Sequence, residues 1–442
     1  MNIYTVLTIV LSITALAGWA NERFLRLPSA IGVMLAGLVV AGSLLLCDMM
    51  NWIDDTRAIE VVKSLHFDRL LIGGHGANSA GQGVLLGMLL FASALQTKPQ
   101  SMRKQVGLIT WLATVGVIVT ALMTAVGLMT MMSITGRPFI FLHLLLLGAI
   151  LAPTDAVAAI SLLRRTSAPA RVRDVIAGES LFNDGISLVL VLFLLAMITG
   201  ETESPFGSNW LLVFTVEAAG AVALGIVMGL LGVFFIRSLT RGSIILLTTI
   251  AIVMVTGALA PMLYVSCPVA CVVAGLTMGR SRTLQNAEGD GQVVMGFWNL
   301  VEHAMTAILF LLIGLELLAV ELSWPTVIWG FITLPLLIVA RFVALVLPWA
   351  VARAVGRTKM NIWEVGLMTW CGLRGGVSIA MAIAIPLTIK TKEQHLTVQS
   401  QAMVVTLIVV VLSILIQGMT VERVAKLLER GKRKAADRAA AK

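Results

Sequence analysis

The chain has 442 residues, 58% of them hydrophobic and 12% charged, with a mean hydropathy of +0.97. That balance excludes a soluble globular domain and a disordered chain, and it fits a protein that crosses a membrane many times. The net charge of +9 would suit nucleic acid only as a patch, and it is instead dealt out between the hydrophobic runs.

A membrane-spanning helix needs about 20 apolar residues. Such runs centre near residues 12, 38, 88, 118, 150, 186, 223, 253, 272, 308, 338, 376 and 412. They predict an all-α polytopic membrane protein of about thirteen transmembrane helices. The count falls to twelve if the third run, behind the polar stretch 73–83, or the short ninth drops out. With thirteen spans and the N-terminus outside, 24 of the 32 Lys and Arg lie in inner loops and the inner tail. Only six lie outside, and Arg341 and Arg374 fall within spans. This is the positive-inside bias, so the surplus charge reports topology, with the C-terminus cytoplasmic and no nucleic-acid partner.

The first run has the length of a signal peptide, but it lacks a basic leader and continues at once into a second span, so it is expected to be retained. Span two, LPSAIGVMLAGLVVAG, has the spaced small residues of close helix packing. Residues 48–69 mix charge with apolar positions and are expected to form an outer-surface helix.

Span five, GAILAPTDAVAAI, carries Thr154 and Asp155 just after Pro153, where a break in the helix is expected. Broken helices survive in lipid only where they line a cavity or are buried in protein. Span six, GESLFNDGISLVLVL, carries Glu179, Ser180, Asn183 and Asp184. Ser180 and Asp184 share one helical face, and Glu179 and Asn183 the neighbouring one. The two carboxylates are turned roughly 140° apart, which gives them separate jobs. Ionisable groups at this depth cost a few kcal/mol each and mark ion or proton pathways.

Glu217 stands alone on span seven and is read as an interfacial or packing residue. Glu302 and His303, near the start of span ten, are read as interfacial, and Arg341 of span eleven as a snorkelling or network residue. Cys47, Cys267, Cys271 and Cys371 lie in or beside apolar runs without further ligands and are read as packing residues. Span twelve, WCGLRGGVSIAMAIAI, sets Arg374 between Gly372, Gly375 and Gly376, which permit an unwound backbone. Two interrupted spans at comparable places point to a secondary transporter of inverted repeats, with broken helices crossing at a midplane site. Residues 1–428 are then one transmembrane domain, with spans five, six and twelve in its core bundle, and 429–442 a short basic cytoplasmic tail.

A small cation stripped of water needs hard oxygen ligands and negative charge. Asp155, Asp184, Ser180 and the carbonyls freed near Thr154 would supply them, and a proton can occupy the same carboxylate. Glu179 and Arg374 are expected to neutralise each other.

At these motifs the chain resembles the cation:proton antiporter-1 family, the NhaP-type sodium/proton exchangers related to animal exchangers. The resemblance runs from LPSAIGVMLAG through LAPTDAVA, GESLFNDG and FLLIGLEL to GLRGGVSIA. It implies a homodimeric antiporter of the plasma (inner) membrane, not an enzyme, with no cofactor. Its core domain would move against a dimerisation domain, exchanging Na+ (or Li+ or K+) for protons. Asp155 and Asp184 would carry the ion and the proton. Ser180 and the Thr154 backbone would be further ligands, so that Asp155, Asp184 and Ser180 hold Na+. Asn183, Glu179 and Arg374 would orient the site. Asn183 before Asp184, where electrogenic relatives carry a second aspartate, implies electroneutral exchange. The chain departs from the family at Ala156, commonly Pro, and at Thr306, often Asn.

Three other readings compete. A potassium-preferring antiporter uses the same oxygen ligands. An intramembrane aspartyl protease would share a proton between two aspartates, but it needs neither broken spans nor Arg374. A channel would need rings of carbonyls and a continuous pore.

Overall fold

The computed structural model describes residues 3–25, 29–49, 84–97, 105–164, 166, 168–199, 210–281, 284, 290–315, 324–356, 360–383, 385, 389 and 397–428. The expected surface helix beyond residue 49, the polar entry 73–83 and the basic tail 429–442 lie outside them.

The described residues are almost entirely helical. In chain order they form α1 (Ile3–Ala20), α2 (Ser29–Met49), α3 (Val84–Gln96) and α4 (Val106–Ile134), then α5a (Phe141–Leu151) and α5b (Ala156–Leu163). There follow α6 (Ala170–Thr199), α7 (Trp210–Arg237), α8 (Gly242–Met262), α9 (Cys267–Gly279), α10 (Asp290–Leu315) and α11 (Trp324–Ala354). The last are α12a (Ile362–Trp370), α12b (Gly376–Ile383) and α13 (Val398–Leu428). Every predicted centre falls in one of these helices. Among the described residues, seven helices are long and apolar enough to cross a bilayer, and α5a with α5b, bent by 41°, makes an eighth. The two weakest predictions, α3 and α9, are 13 residues each as described.

Local chemistry explains several boundaries. Asn361 and Glu364 form a reciprocal capping box that starts α12a. Thr397 caps α13 by accepting from Ser400 N–H at 3.1 Å, and Pro268 opens α9 where no backbone donor is needed. Helices α4 and α13 each contain one π segment, Leu112–Gly116 and Ser413–Gly418. Such insertions widen a turn and re-aim the side chains on it.

The chain forms two compact units, one of residues 1–99, 188–320 and 383–386, the other of residues 100–187, 321–382 and 387–442. In the first, α9 packs against α3 and α7, and α10 against α2 and α3. Trp298 is fully buried there, its ring centroid 4.9 Å from that of Phe91, and its indole N–H donates to Thr249 Oγ1 at 2.8 Å. One turn further along α10, Glu302 is buried within the protein, and it accepts from Gln96 Nε2 at 2.7 Å. It shares the inward face of Trp298, four residues away, whereas the neighbouring His303 is exposed. Glu217 is buried in the same unit. Cys267, Cys271 and Cys371 are buried, as packing residues should be.

In the second unit α4 packs on α5a and α11, and α11 on α12a and α13. One apolar cluster there includes Ile109, Ala159, Leu163, Ile176, Val365 and Leu373. The other holds Leu151, Leu334, Leu337, Val405 and Val409. Both broken helices, and all seven predicted site residues, belong to this unit.

Candidate ion site at two crossed helix breaks

Helix α5 breaks at residues 152–155, immediately around Pro153. Proline has no N–H and its ring crowds the carbonyl four residues back. That carbonyl, Ala149 C=O, is instead met by the hydroxyl of Ser187. The break frees further backbone groups, and in a dry interior each must find a partner.

One face of α6 supplies them. Ser180 Oγ donates to Thr154 C=O at 2.5 Å and accepts from Ala156 N–H at 3.1 Å, so one hydroxyl bridges the break. Asn183 Nδ2 donates to Thr154 Oγ1 at 3.1 Å. Ser180, Asn183 and Ser187 recur at three- and four-residue spacing, which puts them on one side of the helix. Asn183 Oδ1 has no hydrogen-bond partner among the described residues, and Asn183 lines a cavity of about 10 Å³ with Thr120, Ala152, Glu179 and Arg341.

Asp155 caps the second half-helix, accepting from Ala158 N–H at 3.1 Å. A carboxylate there also meets the positive end of the α5b dipole. Its own N–H donates to Leu373 C=O at 2.7 Å, inside the second break. The two broken helices thus cross at their interruptions. A methyl group on Gly375 would lie 2.7 Å from Asp155 Cβ and Oδ2, so the crossing needs glycine there.

Helix α12 breaks over residues 371–375. Arg374 is buried, and its Nη1 donates to Ala152 C=O and, at 2.9 Å, to Pro153 C=O. Its guanidinium therefore sits on the negative end of α5a, where a cation is stabilised. Arg341 does the equivalent for α12a, its Nε donating to Met368 C=O at 3.2 Å.

The expected pairing of Glu179 with Arg374 is not what forms. Both oxygens of Glu179 accept from Arg341, Nη1 at 2.7 Å and Nη2 at 3.0 Å, and both residues are buried. This two-pronged geometry is the one that best repays desolvation of the charges. Gly372 lets the Arg341 side chain through, since a Cβ there would lie 2.3 Å from its Cδ. Arg341 is thus a network residue at the heart of the second unit.

Asp184 stands one turn along α6 from Ser180, whose hydroxyl bonds the backbone on either side of Asp155. Asp155 and Asp184 are half-buried, whereas Thr154, Ser180, Asn183, Glu179, Arg341 and Arg374 are buried. The structure therefore brings Thr154, Asp155, Ser180, Asn183 and Asp184 together and holds Arg374 against the same break. The network role read for Arg341 holds, and three participants escaped the sequence reading: Ser187, Ser413, whose Oγ accepts from Arg374 N–H at 3.1 Å, and Gln417, bonded to Ser413. Ser187 was recoverable from its spacing after Ser180 and Asn183. The other two carry no comparable local signal.

Crossed broken helices, each C-terminal end met by a buried arginine and with two half-buried aspartates beside the crossing, are the anatomy of a secondary transporter with an ion-sized site. The chain belongs to the family described as sodium/hydrogen exchanger, transmembrane, which it matches over residues 10–427. It is 33% identical to the Na(+)/H(+) antiporter NhaP of Pseudomonas aeruginosa, with 93% of each chain covered. It is 26% identical to the Na(+)/H(+) antiporter NhaS2 of Synechocystis, covering 91% of this chain and 67% of the relative. The fold is that of the sodium proton antiporter MjNhaP1 from Methanocaldococcus jannaschii at pH 8, with a TM-score of 0.72, 18% identity and coverage of 96% and 97%.

Proposed function

We propose that the protein exchanges one sodium ion for one proton by alternating access, with Asp155 and Asp184 as carriers and Thr154 C=O and Ser180 Oγ as further ligands. The observation that carries this reading is the pair of half-buried aspartates at the α5 break, Asp155 capping α5b and Asp184 one turn along α6 from Ser180, which bonds the backbone on both sides of that break. Two such carboxylates hold a cation or take up a proton, but not both at full charge. The Ser180 hydroxyl and the Thr154 carbonyl are bonded to each other at 2.5 Å. A cation entering there would take lone pairs from these two oxygens, with the Ser180 O–H turning away from Thr154 C=O.

Charge balance supports electroneutral exchange. Glu179 and Arg341 cancel as an ion pair, and if Asp155 carries the cation as a carboxylate that stays ionised, its charge and that of Arg374 cancel in sum. Asn183 does not ionise. Asp184 alone then alternates between proton and cation, and each loaded state carries the same net charge. The membrane potential, about 2.3 kcal/mol per charge per 100 mV, does no work on such a step. The same reading makes residues 1–428 the transporting domain and 429–442 a cytoplasmic tail. It makes the protein a homodimer of the plasma membrane with its N-terminus outside, needing no cofactor and catalysing no covalent reaction.

The test is cation-driven pH change in proteoliposomes, with Na+, Li+ and K+ in separate arms. Sodium should drive proton movement, an imposed potential should leave the rate unchanged, and flux should reverse where the sodium and proton gradients are equal. A reversal point that moves with potential refutes the one-for-one count. Response to potassium but not sodium refutes the sodium assignment.

A further inference from the structure

We propose that Ser413 and Gln417 of α13 are positioning residues for the ion site, a clamp that spans the second helix break as Ser180 spans the first. Gln417 Nε2 donates to Trp370 C=O at 3.2 Å, on the near side of the break. Ser413 Oγ donates to Gln417 Oε1 at 2.8 Å and accepts from Arg374 N–H at 3.1 Å, on the far side. The four groups form one chain, from Trp370 through Gln417 and Ser413 to Arg374. Its direction is fixed: the amide nitrogen must face a carbonyl and the amide oxygen a hydroxyl. Ser413 is 0% and Gln417 1% exposed, so no water competes for these bonds.

Ser413 and Gln417 lie within the π segment Ser413–Gly418, four residues apart and on one helical face, and one side chain reaches each lip of the break. The parallel with α6 is close. In each case the helix that follows a broken one supplies a serine and an amide, and the serine hydroxyl binds the backbone of the break.

Two routes lead from the clamp to the carriers. Arg374, fixed by its N–H, holds the carbonyls of Ala152 and Pro153 just ahead of the Thr154 ligand. Leu373, the residue before it, accepts from Asp155 N–H. Loosening the clamp should therefore displace cation ligands that Ser413 and Gln417 never touch. This role rests on the antiport reading, because it positions the groups that reading assigns to the ion.

The experiment uses purified full-length protein with two readouts: the sodium concentration for half-maximal exchange in proteoliposomes, and the sodium concentration that protects against thermal unfolding in detergent. Ser413→Ala leaves Arg374 N–H buried without an acceptor and should raise both by about tenfold. Ser413→Thr keeps the hydroxyl and should restore the wild-type requirement. Gln417→Met, similar in length but unable to form either bond, should behave like Ser413→Ala, and it decides the matter if the alanine variant does not fold. Variants that melt lower yet need no more sodium than wild type would show a merely structural contact and overturn the proposal. Wild-type protein is run first in the same liposomes. If it exchanges no cation for protons, the antiport reading fails and the clamp with it; if it does and the variants match it, the clamp alone fails.

Discussion

Removing either member of the Glu179–Arg341 pair should destabilise the protein severely, and removing both should not. The two residues are 3% and 5% exposed and joined by bonds of 2.7 and 3.0 Å. Glu179→Ala strands a guanidinium, and Arg341→Ala a carboxylate, in an interior with little water. Breaking a buried pair in this way costs about 3–5 kcal/mol. Arg341→Ala also leaves Met368 C=O without its bond from Nε, worth about 1 kcal/mol more. The double variant strands neither charge, so it should lose no more than the worse single variant, which makes the coupling at least as large as the smaller single loss, about 3–5 kcal/mol. Unfolding free energies from SDS titration in mixed micelles would measure this cycle. The same cycle on Glu179 and Arg374 should give a distinctly smaller coupling, because the Arg374 guanidinium is spent on the carbonyls of Ala152 and Pro153. Equal or larger coupling to Arg374 would refute the pairing seen in the structure.

Asp184→Asn should abolish sodium-driven proton movement while the protein still inserts and folds, and retained exchange would refute its role as carrier. Asp155→Asn should abolish exchange as well, with little loss of thermal stability, because asparagine still caps α5b; a large loss would show that the charge holds the fold. Gly375→Ala should lower both folded yield and activity, since its methyl group meets Asp155 at 2.7 Å. Gly18→Ala, with nothing within 4 Å of the added carbon, is the matched control, and equal behaviour of the two would show that the crossing is looser than described.

Much of this protein is set by chemistry that a single stretch of chain contains. Apolar runs of spanning length become helices because a bilayer leaves backbone groups no other partner, and every predicted centre carries one. Pro153 breaks α5 because it lacks an N–H, wherever the helix lies. Glycines at 372, 375 and 376 allow α12 to unwind for an equally local reason. Ser180, Asn183 and Asp184 share adjoining faces of α6 by helical spacing alone. Tertiary structure decided which distant groups answer those local needs. Glu179 had two candidate arginines within apolar spans, and the choice lay 162 residues away. It went to Arg341 because the crossing of the broken helices delivers Arg374 onto the end of α5a, while Gly372 opens a passage for Arg341. Ser413 and Gln417 carry no local signal in the last span, and their partners are backbone groups of residues 374 and 370 on another helix. An arginine or glutamine side chain is long and flexible, so its partner is fixed by where helices cross, and no spacing along the chain encodes that.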